Sequence, residues 1–331
     1  MIETKCVPAT PEAIAEAAAR IRSGELVAFP TETVYGLGAH ALNPQAVAAI
    51  FTAKGRPATN PLIVHVLDIE AARSLVTTWP AHAQRLAERF WPGPLTLVLP
   101  KNASVPDEVT GGGPTVGLRA PSHPVARALL EAARVPIAAP SANRSNHVSP
   151  TTAQHVWDDL KGRIALILDG GPTQGGLEST VLSLAEDPPR ILRLGLIPPA
   201  AIEAVVGPIR LPPLSSAQAE QEGTPLPSPG MLRRHYAPKV PLEIAENAAA
   251  RVQELLAQGE RVGWLALQVP GRWGENAVVI EMPTSAEAYA QRLYAALREL
   301  EAEAVTRIVV DAPPQTQEWL AIWDRLRRAA A

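Results

Sequence analysis

The run PTETVYGLGAHALNPQAVAAIFTAKGRPATNPLIVHV, residues 30–66, decides how the rest of the chain is read. It follows the apolar segment ELVAF, so Thr31, Thr33 and Tyr35 stand at the end of a strand, and Lys54, Arg56, Asn60 and His65 come shortly downstream. Hydroxyls, cations and an amide gathered around tight turns suit the binding of a small anion. Gly36, Gly38 and Ala41 match the dinucleotide pattern G-x-G-x-x-A. That pattern requires a helix opening at the glycines, so that its first amides meet the pyrophosphate. Here the helix-start signal is Asn43 as cap and Pro44 in the first turn, several residues too late. No acidic residue stands about 20 positions further on, as the dinucleotide pattern also demands. The glycines are therefore expected in a loop that lines the anion site. No G-x-x-x-x-G-K-[ST] occurs, which excludes a P-loop.

Working outward, Thr10 and Pro11 start a helix that runs to about Ser23, and Gly24 ends it before the strand ELVAFP. After the opening run come the helix AHAQRLAERF, the strand PLTLVLP, the strand TVGLRAP, a helix from Pro124 to Arg134 and the strand VPIAAP. A short helix over Thr152–Leu160 precedes the strands IALILDG, STVLSL and ILRLG. Strands that alternate with helices, and at places follow one another directly, predict an α/β domain with a mixed sheet over 1–206. Residues 207–239 are proline-rich, polar and without period, as in a linker or lid. A compact pattern of strands and helices over 240–331 predicts a second, smaller α/β domain.

Composition narrows the functional classes. At 331 residues the chain has room for two domains, each able to bury a core. A net charge of −3 argues against a nucleic-acid binder held by bulk electrostatics, though not against a local basic cleft. The single cysteine, Cys6, excludes an internal disulfide framework and a thiolate zinc site, and suits a reducing cytoplasm. No segment reaches the ~18 apolar residues of a membrane span, and the N-terminus lacks the layout of a signal peptide. The expectation is a soluble, cytoplasmic protein.

Several further clusters carry chemistry. Lys54 and Arg56 are either cations favoured by a helix C-terminus or ligands of an anion, and the nearby Asn60 and His65 favour the second reading. Thr115 and Arg119 share one face of a strand, where Arg119 needs an anionic partner or an exit to solvent. Gly111–Gly113 reads as a flexible or close-approach loop and not as a phosphate cradle. Ser141, Asn143 and Ser149 follow a buried strand and either form turns or donate to phosphate or ribose oxygens. Ser179 begins a strand, and Arg193 stands late in one. His235 and Tyr236 place aromatic rings on the linker, for docking or as a lid over a base. Together these offer four cations (Lys54, Arg56, Arg119, Arg193), many hydroxyls and no evident general-base dyad. That suits a site for a polyphosphate and a small carboxylate, where catalysis is positioning and charge stabilisation.

PTETVYGLG, KGRPATNPLIVHV, WPGPLT, TVGLRAPSHP, PIAAPSANRS, ESTV and SPGMLRRHYAP stand in the order of the threonylcarbamoyl-AMP synthase family, the YrdC-like proteins, which the chain closely resembles in their long form. The resemblance implies a YrdC-like twisted mixed-sheet domain with an open cleft and a Rossmann-like α/β C-terminal domain. It implies that L-threonine, bicarbonate or CO2, and ATP give threonylcarbamoyl-AMP and pyrophosphate. A separate tRNA threonylcarbamoyl transferase would then modify ANN-decoding tRNAs beside the anticodon, with little direct tRNA binding by this chain. Carried over by position, Thr33, His65, Arg119, Ala139 and Ser179 are the implied threonine site. Arg56, Asn60, Thr115, Ser141, Asn143, Ser149, Arg193 and Tyr236 are the implied ATP site. Lys54 and Arg56 supply electrostatic catalysis without a nucleophile, and Mg²⁺ arrives with ATP, not on protein ligands. One departure is Leu194, where the family often has proline between Arg193 and Gly195. The competing readings are a non-catalytic RNA-binding module and a carbamoyltransferase, the latter lacking room and cysteines for its extra segments.

Overall fold

The computed structural model describes residues 2–212, 235–269 and 271–331. Most of the expected linker, residues 213–234, lies outside the described residues, and with it the SPGMLRR part of the linker motif. The chain divides into two compact units. The first comprises residues 1–145, 149–174 and 178–231, and the second residues 146–148, 175–177 and 232–331.

In the first unit the strands are β1 (Lys5–Pro8), β2 (Val27–Pro30), β3 (Tyr35–His40), β4 (Ile63–His65), β5 (Leu95–Pro100), β6 (Thr115–Arg119), β7 (Ile137–Ala138), β8 (Leu166–Asp169), β9 (Thr180–Ser183) and β10 (Arg190–Arg193). The helices are α1 (Pro11–Arg22), α2 (Pro44–Lys54), α3 (Ile69–Arg73), α4 (Ala81–Phe90), α5 (Asp107–Thr110), α6 (Pro124–Ala133), α7 (Ala153–Leu160) and α8 (Pro199–Val206). The strands form one mixed sheet in the order β1-β8-β2-β3-β7-β4-β6-β5-β9-β10. Helix starts follow their signals closely: Thr10 caps α1, Asn43 caps α2 through the amides of Gln45 and Ala46, and Thr152 caps α7.

The segment expected as a loop, residues 35–40, is instead β3, paired antiparallel with β2 so that Pro30 faces Tyr35 and Val27 faces Gly38. The glycines serve packing. A Cβ on Gly38 would lie 2.8 Å from the Phe29 ring and 2.9 Å from an Ile137 methyl, and one on Gly36 would lie 3.3 Å from Ala139 Cβ. Glycine inside a strand commonly marks such a close approach. The strand VPIAAP shrinks to the two residues of β7, because prolines flank it on both sides and cannot donate to the ladder. Beneath β2, a core of Ala17, Ala18 and Ile21 from α1, Leu129 and Leu130 from α6, and Phe29, Leu166 and Leu168 is almost wholly buried. Each large side chain there stabilises the fold by roughly 1.5–3 kcal/mol. The tight turn of residues 31–34 therefore projects from a rigid base.

The second unit contains β11 (Leu242–Ala245), α9 (Ala248–Ala257), β12 (Val262–Ala266), β13 (Ala277–Glu281), α10 (Ala286–Ala302), β14 (Arg307–Asp311) and α11 (Leu320–Ala329). Its sheet has the order β11-β14-β12-β13, with every pairing parallel. Trp264, Val252, Leu255 and Val309 form its core. No helix among the described residues is long and apolar enough to cross a membrane.

Candidate active site

The β2–β3 turn fixes a row of hydroxyls by hydrogen-bond accounting. Thr31 Oγ1 donates to the Val34 carbonyl at 2.7 Å, which uses its one proton. The 2.8 Å contact between the Thr31 and Thr33 hydroxyls therefore has Thr33 as donor. What Thr33 has left to offer is lone pairs, so it is set to accept from a ligand hydroxyl.

One cluster gathers around the C-terminus of α2. Lys54 is buried, and its ammonium donates to the carbonyl of Ser141 at 2.6 Å, to the carbonyl of Asn143 and to Asn143 Oδ1. Burial, and then the neighbouring Arg56, push its pKa well below the ordinary lysine value, with Asp159 pulling the other way. The Arg56 guanidinium folds back on its own loop, donating from Nε to the Asn60 carbonyl and from Nη2 to Asn60 Oδ1 at 2.6 Å and to the Pro61 carbonyl at 2.8 Å. Gly111, in the left-handed region at φ 61°, presses on the same loop: a Cβ there would meet the Thr59 carbonyl oxygen at 2.8 Å. Gly111 is thus a close-approach residue, the second of the two readings open for Gly111–Gly113. The loop that carries Asn60 is clamped from both sides, and Asn60 Nδ2 is buried without a hydrogen-bond partner.

Two expected donors turn out to have committed protons. Ser141 Oγ donates to Asn143 Oδ1 at 2.5 Å, and Ser149 Oγ donates to Glu178 Oε1 at 2.6 Å. As they stand, both can accept from a ribose hydroxyl and would have to rotate to serve a phosphate. Thr115 is half-buried at the start of β6.

A second cluster forms where β4 and β6 end. The two strands run parallel with His65 opposite Arg119. Thr115 and Arg119 stand about 13 Å apart along β6, at the spacing of an extended chain. The imidazole of His65 is held neutral: burial first, and the Arg119 charge second, lower its pKa to about 3, against a smaller opposing pull from the Ile63 and Ile137 carbonyls. Its Nδ1 has no hydrogen-bond partner. Arg119 is buried against Glu32, with Nη2 2.7 Å from Glu32 Oε1. Neither Glu32 Oε1 nor Arg119 Nε and Nη2 makes a directed hydrogen bond, whereas Glu32 Oε2 accepts from the Ser122 amide at 3.1 Å. Ala139 follows β7 and donates its amide to the Ile63 carbonyl.

Arg193, at the end of β10, donates through Nε and Nη2 to the Ser179 carbonyl and through Nη2 to Ser179 Oγ, all at 3.0–3.1 Å. The Ser179 hydroxyl also meets Thr96 Oγ1 at 2.8 Å. Gly195 leaves no room for a side chain: a Cβ would fall 2.4 Å from the Ser179 carbonyl carbon. The Arg-Leu-Gly departure from the family pattern thus retains both the cation and the glycine that pack on Ser179.

Tyr236 belongs to the second unit. Its buried ring stacks on Tyr294 at 5.9 Å, lies under the Arg325 guanidinium at 4.8 Å and meets the His235 ring edge-on. Of the two roles open to it from the sequence, this conformation is the docked one. The sequence reading passed over Glu32, Thr96 and Glu178, although all three sit inside quoted motifs. A carboxylate between two threonines, in a cluster otherwise made of cations and hydroxyls, was the available signal for Glu32.

Known proteins carry the same architecture. Residues 19–195 match a family described as Telomere recombination, and residues 197–331 match one described as Threonylcarbamoyl-AMP synthase, C-terminal domain. A threonylcarbamoyl-AMP synthase of Bacillus subtilis (strain 168) is 48% identical, over 96% of this chain and 92% of its own length. The chain belongs to the threonylcarbamoyl-AMP synthase family. A second family member, from Pyrococcus abyssi, is 44% identical over 95% of this chain and 93% of its own. The crystal structure of P. abyssi Sua5 complexed with L-threonine superposes with a TM-score of 0.90 at 43% identity, covering 100% of this chain and 97% of that one.

Proposed function

We propose that this chain joins L-threonine, bicarbonate and ATP into L-threonylcarbamoyl-adenylate, releasing pyrophosphate and water. This would supply the activated group for a separate enzyme that modifies the adenosine beside the anticodon of ANN-decoding tRNAs, in the cytoplasm. The observation that carries the reading is the match along the whole chain to a protein solved with L-threonine bound. The partnerless buried polar atoms on Glu32, His65 and Arg119, which meet where β4 and β6 end, support it, since native proteins leave few such atoms without reason.

The residues divide the work by charge. Arg119 takes the threonine carboxylate in a two-pronged, charge-assisted contact. Thr33 accepts from the β-hydroxyl, and Ser179 borders the same pocket. A site built to bond that hydroxyl penalises analogues that lack it. His65, being neutral, adds a hydrogen-bonding nitrogen without a second positive charge. Asn60, Thr115, Ser141, Asn143 and Ser149 hold the nucleotide. Lys54, Arg56 and Arg193 set the positive potential in which a carbamate oxygen attacks the α-phosphorus, forming the new O–P bond as the bond to pyrophosphate breaks. ATP arrives as its Mg²⁺ complex. No side chain is asked to act as nucleophile.

The direct test is incubation with ATP, Mg²⁺, L-threonine and labelled bicarbonate, followed by mass spectrometry. Labelled threonylcarbamoyl-AMP is the expected product. Pyrophosphate release that does not depend on threonine overturns the reading.

A further inference from the structure

Glu32 is a buried carboxylate, with a side chain about one-tenth exposed, touching the guanidinium that the proposed function assigns to the substrate carboxylate. Two explanations compete. Glu32 either occupies Arg119 until substrate displaces it, or it stays and serves the other end of the amino acid. Its second oxygen favours staying: Oε2 is anchored by the Ser122 amide, independently of Arg119. Charge counting points the same way. Threonine binds as a zwitterion, and none of Thr33, His65, Arg119, Ala139 or Ser179 carries a negative charge. An ammonium buried among them would stand beside Arg119 with no protein carboxylate to offset it, an arrangement burial disfavours.

Distances agree. The ammonium nitrogen and carboxyl carbon of an α-amino acid are about 2.5 Å apart, from standard bond lengths and angles. A carboxylate gripped by Arg119 therefore brings its ammonium to the neighbourhood of whatever touches Arg119, and Glu32 Oε1 is 2.7 Å from Nη2. Glu32 Oε1 and Arg119 Nε and Nη2 all lack a directed hydrogen bond, so each side keeps capacity for a ligand. Glu178, the acid next to Ser179, is already bonded to Ser149.

We propose that Glu32 is the ammonium-binding residue of the threonine pocket, completing an alternating square of charges: Glu32, Arg119, substrate carboxylate, substrate ammonium. The proposal rests on the threonine reading above. It makes Glu32 a specificity residue that selects α-amino acids over α-deamino analogues of the same shape.

The test is calorimetric titration of the full-length protein, without nucleotide, against L-threonine and against 3-hydroxybutanoate, which keeps the carboxylate and β-hydroxyl but lacks the amine. Wild type is expected to prefer threonine by at least 30-fold. Glu32→Gln keeps the acceptor for Ser122 and removes the charge. It is expected to bind threonine at least tenfold more weakly and 3-hydroxybutanoate as well as before, so that the preference collapses, while ATP binding is unchanged. A Glu32→Gln protein that binds threonine as tightly as wild type, or more tightly, overturns the proposal and marks Glu32 as a competitor for Arg119. Should that variant fail to fold, wild type alone decides: equal affinity for the two ligands overturns the proposal. A wild type that binds no threonine overturns the threonine reading and the proposal together, whereas intact threonine binding without the amine preference overturns the proposal alone.

Discussion

The Lys54–Arg56 end of the first unit lies at the C-terminus of α2 and its Arg119–His65 end where β6 and β4 finish, and the two satisfy their charges in opposite ways. Around Lys54 and Arg56, cationic protons go to backbone carbonyls and amide oxygens of the protein's own loops. Around Arg119 the guanidinium meets an acid at contact distance without directed hydrogen bonds, beside a neutral imidazole with a bare nitrogen. At the first end the fold itself satisfies the cations and leaves Asn60 Nδ2 as an unpaired donor. The second, under the proposed function, is finished by its ligand. Pre-organised charge suits a transition state at phosphorus, where reorganisation would cost rate. A pocket completed by its ligand suits selection among amino acids, because every wrong substrate leaves one of its groups unpaired.

Arg119→Met strikes the second end hardest. It leaves Glu32 as a buried, unpaired charge, and breaking such a pair costs about 3–5 kcal/mol of stability. It also removes two charge-assisted bonds to the substrate carboxylate, at about 1.5–3 kcal/mol each, so threonine affinity should fall by at least roughly 100-fold. ATP affinity should stay within about twofold. Denaturant titration and calorimetry read the three quantities, and an equal loss of ATP binding would break the distinction between the two ends.

Lys54→Met is the mirror experiment, with a smaller effect. Methionine fills similar volume but abandons the carbonyls of Ser141 and Asn143, for a loss of about 2–3 kcal/mol. The loop carrying Ser141 and Asn143 should loosen, raising the ATP KM about tenfold and lowering the adenylation rate, while threonine binding without nucleotide stays the same. If threonine binding falls in step with ATP, the fold does not separate the two functions.

The sequence disclosed these ends unevenly, for physical reasons. Most local signals were legible: Asn43 and Pro44 started α2 where expected, and AHAQRLAERF gave α4 residue for residue, whereas the short helices α3, α5 and α8 went unread despite the Asp68 cap and the Pro199 start. The motifs also contain all four cations read as belonging to the site, Lys54, Arg56, Arg119 and Arg193. Signals that depend on distant partners were not legible. β1, KCVP, is a strand only because β8 lies beside it, some 160 residues away. Gly36 and Gly38 read as loop because glycine has low strand propensity, and the Phe29, Ile137 and Ala139 side chains that require them come from elsewhere in the sheet. Arg193 was expected on the nucleotide, but no spacing could reveal that it holds the Ser179 backbone. Glu32 was hidden by its neighbours: between two threonines it read as part of a turn, and its role depends on Arg119, which lies 87 positions downstream.

His65 offers the mildest way to sharpen the contrast, because pH alone moves it. Its pKa is lowered from 6.5 to about 3 in the fold, chiefly by burial and next by Arg119. Between those values the unfolded chain binds a proton that the folded one refuses, so stability rises with pH across the window. The contribution is fully present above about pH 6.5 and is lost progressively as pH falls toward 3. At pH 5, one and a half units below the unfolded value, the penalty is about 2 kcal/mol at 1.36 kcal/mol per unit. His65→Gln carries no proton to refuse, so its Tm should decline less than that of wild type between pH 7 and pH 5, the two curves running parallel above pH 6.5. Threonine should narrow the gap little, because a neutral His65 is the form that both the empty and the filled pocket require. A His65 resonance titrating near pH 6.5 in the folded protein would show a solvated imidazole instead. The Arg119 end would then be as open to water as any surface, and the contrast with the Lys54 end would vanish.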